Sequence, residues 1–192
     1  HPDNVGASLY GGIVVAFWDD VNAESIRIEP DSNLEVLVAI PAFQLSTEKA
    51  RGVMPQHVSM KDAVFNLSHS SLLVAALSTG NLGMIRHAMK DRLHQPYRAA
   101  LIPGMKTLLD ECEDHGALGV ALSGAGPTML ALVDARSEKK AELETFLKDT
   151  LAKEGIEAQL LWLKPSQEGV TTTELPSSDE QLLSFVEREV LA

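Results

Sequence analysis

Two short apolar runs divided by a glycine loop set the tightest limit on how this chain can fold. Leu118-Gly119-Val120-Ala121-Leu122 and Thr128-Met129-Leu130-Ala131-Leu132-Val133 flank Ser123-Gly124-Ala125-Gly126-Pro127. Gly116 to Val133 therefore reads as strand, turn, strand, and strands joined so closely run antiparallel, because a parallel pair needs a crossover of a dozen or more residues. Leu34 to Ile40, closed by Pro41, and Ile156 to Leu163 add two further strands. Helical stretches lie between them: Ser59 to Leu77, Leu82 to Leu93, Pro103 to His115 and Ser137 to Lys153. In the first of these, Met60, Ala63, Val64, Leu67, Ser71 and Val74 recur at three and four, which predicts the buried stripe. In the third, Met105, Leu108, Leu109 and Cys112 share a stripe, so Cys112 is expected in the core. The order β-α-α-α-β-β-α-β after residue 34 predicts a two-layer α+β domain with a mostly antiparallel sheet.

Upstream, Pro2 and Asp3 suit the first turn of a helix that Gly11-Gly12 can end. Ile13 to Trp18 and Ser25 to Pro30 read as strands, with Asp19 to Glu24 as their hairpin connection. Ser46 opens a short helical stretch that Pro55 ends. Nothing precedes the first helix to form the layer it should pack on, so the start reads as a cut through a domain. Residues 166–178 read as a loop and Asp179 to Leu191 as a terminal helix.

Charge and composition narrow the function classes. Lys+Arg 16 against Asp+Glu 27 leaves a net charge of −11. Phosphate-backbone contacts need a basic face, so no nucleic-acid partner is expected. No apolar run reaches the ~18 residues that suggest a membrane span. The single cysteine, Cys112, excludes an internal disulfide and a cysteine-based zinc cage. Without a recognisable signal peptide, the chain is expected in the cytoplasm.

Four stretches carry polar chemistry. His1-Pro2-Asp3-Asn4 places a histidine, a carboxylate and an amide in one helical turn. Thr47 and Arg51 share a helix face at i, i+4. Arg92, His94 and Arg98, with Arg86 and His87 just before, gather positive charge in an acidic chain, and arginine forks match carboxylate and phosphate oxygens. Ser123-Gly124-Ala125-Gly126-Pro127 lets backbone N–H groups approach an anion, yet it is neither a Walker loop nor a dinucleotide fingerprint. Each has an ordinary alternative: a capped helix start, a solvated helix end, a plain β-turn.

Taken together and in this order, His1-Pro2-Asp3-Asn4-Val5, Thr47 with Arg51, His94-Gln95-Pro96-Tyr97-Arg98 with Leu101-Ile102-Pro103-Gly104, and Ser123 to Thr128 resemble the homoserine kinases of the GHMP superfamily. The resemblance runs from residue 1 to about 165. It implies an ATP- and Mg2+-dependent transferase that phosphorylates the side-chain hydroxyl of L-homoserine, in threonine biosynthesis. It implies residues 1–32 as the end of an N-terminal domain, 33–165 as a ferredoxin-like C-terminal domain, and 166–192 as a loop and terminal helix. By position, His1, Asp3 and Asn4 would line the homoserine pocket, with Asn4 and Asp3 nearest the chemistry. Thr47, Arg51 and Arg98 would hold the amino acid's polar end. Ser123, Gly124, Ala125, Gly126 and Thr128 would sit beside substrate and phosphates. The family's ATP loop and magnesium carboxylate lie upstream of the His-Pro-Asp-Asn motif, so no metal ligand is expected here, and a separate N-terminal half is an expected partner. A homodimer is also compatible. Two alternatives stand: a non-catalytic amino-acid-binding or partner module, and a GHMP kinase for another small alcohol. Gly6-Ala7-Ser8 also departs from the family's usual alanine and proline at this point.

Overall fold

The computed structural model describes residues 2–172, so His1 and the helix expected over Asp179 to Leu191 lie outside the described residues. Helix α1 (Pro2–Tyr10) leads into a hairpin of β1 (Ile13–Trp18) and β2 (Ala23–Ile28). Its turn is held by the Asp19 carboxylate, which accepts from the Val21 and Asn22 amides at 3.1 and 2.7 Å. Gly11 and Gly12 end α1 with φ of 62° and 67°, where a side chain would be strained.

The second sheet has four strands in the order β4 (Gly119–Leu122), β5 (Met129–Asp134), β3 (Leu34–Pro41), β6 (Ala158–Leu163), with every pair antiparallel. Since β5 and β6 both oppose β3, they are parallel to each other, and α7 (Lys140–Lys153) joins them. Likewise β3 and β4 flank β5 and are joined by the helical segment between them. This is the βαββαβ arrangement of ferredoxin-like domains. Helix α6 (Met105–Glu111) and α7 cover one face of the sheet. Leu143, Leu147 and Leu151 of α7, spaced four apart, are buried against Leu37, Met129, Ala131 and Val133. Each such leucine contributes ~1.5–3 kcal/mol by leaving water. Cys112 packs in the same core, as expected.

Three expectations need correction. The predicted stripe of α3 (Met60–Ser78) faces outward: Met60 is 78% exposed, Val64 56% and Leu67 66%, with Val74 also exposed. Leu73, Ala76 and Leu77 pack instead, against Leu34, Leu82 and Ile85. The helix is apolar on two faces, and periodicity alone cannot say which one meets the sheet. The second predicted helix, Leu82 to Leu93, is a 3-10 turn at Leu82–Met84 followed by α4 (Ile85–Ala88), and it stops there. Beyond Met89 the backbone amides turn to the Asp91 carboxylate, which competes with helix continuation. The third is shorter than Pro103 to His115, because Gly104 is left-handed at φ 80° and turns replace the last helical turn.

The segment after β6 is tied down. Gly12 N donates to Ser166 O at 2.6 Å and Val170 N to Leu9 O at 3.1 Å. Arg27 bridges the two parts, donating to Tyr10 O and Gln167 O at 3.0 and 2.7 Å. The approach is so close at Gly169 that a Cβ there would lie 2.0 Å from Leu9 O. Among the described residues no helix is long and apolar enough to cross a membrane.

Candidate active site

One end of the four-stranded sheet brings together two of the four stretches, the glycine loop and Arg98, and β3 leaves the same end toward the third. Leu122, Met129 and Ala39 stand in register across β4, β5 and β3. The loop 123–128 leaves from that end, and β3 leaves it two residues later toward α2 (Thr47–Gly52). Ser46 caps α2, its Oγ accepting from Lys49 N at 3.1 Å. Ala50 is buried, so Thr47 and Arg51 turn to the exposed side. The Arg51 guanidinium has no hydrogen bond or ion pair among the described residues.

The loop is closed by its own backbone: Ser123 N donates to Thr128 O at 2.9 Å and Gly126 N to Ser123 O at 3.0 Å. Gly124 and Gly126 have φ of 59° and 81°. A Cβ at Gly126 would crowd Ile102 at 3.0 Å, whereas the space at Gly124 is open for 4 Å. The N–H groups of Gly124 and Ala125 have no partner among the described residues, which leaves them free for an anion.

Arg98 ends α5 (Gln95–Arg98), a single helical turn. Its Nη1 donates to Gly124 O at 2.9 Å, and its Nε is buried without a hydrogen-bond partner among the described residues. A buried guanidinium N–H left unpaired is costly unless a ligand meets it. Gln95, one turn earlier, accepts from Leu122 N through Oε1 at 3.0 Å. The Asp91 carboxylate organises the approach to α5. It accepts from Asn66 Nδ2 and Leu93 N, both at 2.7 Å, from His94 N at 3.0 Å and from Gln95 N at 2.6 Å. Burial raises the Asp91 pKa, but the bonds from Gln95, Asn66, Leu93 and His94 outweigh it, and the net shift is downward.

Other predicted residues are placed apart. Asp3 and Asn4 lie exposed on the first turn of α1, and Asp3 Oδ1 accepts from Asn4 N at 3.0 Å. Helix α1 packs on the β1–β2 hairpin, and no hydrogen bond links it to the loop 123–128 or to Arg98. The expected gathering of cations also divides. Arg92 pairs with Asp62 at 3.3 Å and stacks on Phe65 at 3.7 Å, which fixes it to α3. Arg86 lines a cavity of about 580 Å³ with Asp134, Arg136 and Lys139, by the opposite ends of β4 and β5. There Arg136 pairs with Asp134 at 2.6 Å and Lys139 donates to Asp114 O at 2.7 Å, so two of its three cations are already engaged. Among the described residues, Arg98 is the member of this group that hydrogen-bonds to the glycine loop. Asp91, Gln95 and Asn66 were not among the predicted site residues. The signal for Asp91 is an acidic residue just ahead of a proline-bearing helix start, a capping pattern; Asn66 gives none.

Residues 73–151 match the family model for the GHMP kinase C-terminal domain. The chain is 47% identical over 161 residues to a homoserine kinase of Deinococcus radiodurans, covering 84% of this chain and 52% of that protein. The fold described above is that of a GHMP kinase C-terminal domain. It is also 41% identical over 174 residues to a homoserine kinase of Clostridium beijerinckii, covering 91% of this chain and 57% of that one. The crystal structure of homoserine kinase from Cytophaga hutchinsonii superposes with a TM-score of 0.81 at 28% identity, over 88% of this chain and 53% of the other. The fold is also shared with the crystal structure of L. major mevalonate kinase, with a TM-score of 0.56 at 20% identity, over 82% of this chain and 50% of that one. The chain spans about half the length of the curated relatives it matches.

Proposed function

We propose that this chain is the part of a homoserine kinase that grips the amino acid and presents the glycine loop to the transferred phosphoryl group. The reaction is transfer of the terminal phosphoryl of ATP to the side-chain hydroxyl of L-homoserine, giving O-phospho-L-homoserine and ADP in the cytoplasm. The observation that carries the reading is Arg98: anchored to Gly124 O, it keeps a buried Nε–H unpaired beside the loop. A carboxylate satisfies that donor with a charge-assisted bond. Thr47 and Arg51, exposed on α2, supply the rest of the clamp in this reading.

The free Gly124 and Ala125 amides and the open space over Gly124 suit phosphate oxygens. Mg2+ is usually held by one or two carboxylates together with the substrate phosphates, and in this reading its carboxylate is the upstream one that the resemblance implies. By the resemblance alone, His1, Asp3 and Asn4 would line the hydroxyl side of the pocket, although α1 makes no hydrogen bond to the loop 123–128 or to Arg98 among the described residues. An asparagine amide takes up no proton at neutral pH, so Asn4 orients the hydroxyl. Phosphoryl transfer passes a loose transition state, and positioning suffices without a strong base. On the face of the β1–β2 hairpin turned away from α1, Val15, Phe17 and Ile26 are apolar and exposed. Patches of this kind mark interaction sites, and the remaining half of the relatives' fold is the partner we assign to it.

The test is binding followed by complementation. Titration calorimetry should detect L-homoserine binding to the 192-residue chain, with no homoserine-dependent ADP release from ATP and Mg2+. Adding the complementary N-terminal half of a relative should bring ADP release that depends on homoserine and not on mevalonate. Binding that never yields turnover in the complemented pair would favour the non-catalytic amino-acid module. Turnover of mevalonate in preference would favour a kinase for another alcohol.

A further inference from the structure

The segment that carries Arg98 has little regular structure of its own. Between the end of α4 at Ala88 and the start of α5 at Gln95, the chain is not helical, and α5 is a single turn continued only by a 3-10 turn at Ala99–Leu101. One turn cannot sustain itself, because helix nucleation fixes several residues for one hydrogen bond. The aim of Arg98 must therefore be set from outside α5.

Two side chains do this. Asp91 gathers the Leu93, His94 and Gln95 amides on one carboxylate, so it closes the start of α5. Its fourth bond, from Asn66 Nδ2, ties it to the nineteen-residue helix α3. Asn66 returns the link through Oδ1, which accepts from Arg92 N at 2.8 Å. Gln95 then fastens the other side. It stands three residues before Arg98, so both side chains leave the same face of the turn. Gln95 Oε1 holds the Leu122 amide and Arg98 Nη1 holds the Gly124 carbonyl, two residues apart at the mouth of the loop. β4 is an edge of the sheet, and Leu122 at its last residue gives its N–H to Gln95 rather than to a neighbouring strand.

We propose that Gln95 and Asp91 are positioning residues: together they staple α5 to the glycine loop, and so fix where the free Arg98 Nε–H points. The proposal rests on the functional reading above for its consequence, a well-aimed donor for the substrate carboxylate. The staple itself is a claim about the folded chain and can be tested without any substrate.

The experiment compares the chain with Gln95→Leu, Gln95→Glu and Asp91→Asn by 15N NMR. The Arg98 Nε–H resonance and the Leu122 and Gly124 amides are followed by exchange with solvent, and L-homoserine affinity is measured by calorimetry. Gln95→Leu removes the acceptor, and Arg98 Nε–H exchange is expected to rise by about tenfold, the loss of one hydrogen bond. Gln95→Glu keeps an acceptor oxygen, and slow exchange should return. Asp91→Asn turns an –NH2 toward the His94 or Gln95 amide and should act on the same resonance as Gln95→Leu. Homoserine affinity should follow the exchange rates from variant to variant, while the melting temperature need not. Unchanged Arg98 exchange in a folded Gln95→Leu chain would overturn the staple, whatever the substrate. Accelerated exchange in a chain that binds no homoserine at all would uphold the staple and overturn the substrate reading instead. If Asp91→Asn does not fold, the two Gln95 variants decide the question alone.

Discussion

Replacing Arg98 by lysine probes the clamp most directly, because the structure gives Arg98 two tasks on one planar group. Nη1 is spent on Gly124 O at 2.9 Å, and Nε is buried and free. Lysine carries the same charge as a single ammonium on a flexible stem, so it can meet the carbonyl or the substrate carboxylate but does not hold both in a fixed fork. The loss is at least one charge-assisted hydrogen bond, worth ~1.5–3 kcal/mol. At 1.4 kcal/mol per tenfold, that is about 10- to 100-fold in L-homoserine affinity. The net charge of −11 sharpens the effect, since a carboxylate ligand meets general repulsion that only local cations offset. The assay is calorimetry on the chain, followed by the homoserine and ATP dependence of the complemented enzyme. The homoserine KM should rise by at least ~10-fold and the ATP KM much less. An equal loss for both substrates would place Arg98 at the phosphates and refute the carboxylate assignment.

Three further outcomes follow from the same geometry. Asp3→Asn in the complemented enzyme should lower turnover by less than the ~10²–10⁴-fold that loss of a general base costs; a larger drop, with unchanged substrate binding and a lost acidic limb in the pH–rate profile, would make Asp3 the base. Because the folded pKa of Asp91 is depressed below its ordinary 3.8, its stabilising contribution is complete above that value and lost as pH falls through the lower folded pKa. Urea midpoints taken from pH 7 to pH 2 should show an acid-side loss that is smaller in Asp91→Asn. Burial, with Glu113 and Glu111 beside it, pushes the Cys112 thiol up to about 12, so a disulfide reagent at pH 8 should label it only after unfolding; rapid labelling of the folded chain would mean that α6 opens readily.

Several features were legible from local pattern because local pattern causes them. The strand, loop, strand of Gly116 to Val133 appears as β4 and β5, since a short glycine connection admits only an antiparallel neighbour. The stripe of Met105, Leu108 and Cys112 is buried, and the glycines at 11 and 12 end α1 through their positive φ. Thr47 with Arg51, Arg98 and the loop 123–128 could be singled out because their side-chain chemistry is unusual at that spacing.

Whatever depended on which surfaces meet was settled by the tertiary structure alone. Helix α3 is apolar on two sides, and only the packing of Leu73, Ala76 and Leu77 against Leu34 and Ile85 shows which side is inward. The clustered cations of residues 86–98 look alike in sequence, yet Arg92 is held by α3, Arg86 lines a distant cavity, and Arg98 hydrogen-bonds to Gly124. Asn66 and Asp91 are twenty-five positions apart, and Gln95 and Leu122 twenty-seven. Hydrogen bonds between residues so far apart leave no periodic trace, because they depend on where the folded backbone brings each donor and acceptor. Periodicity records what each residue does to its neighbours along the chain; the aim of Arg98 is decided by partners that the fold brings in from elsewhere.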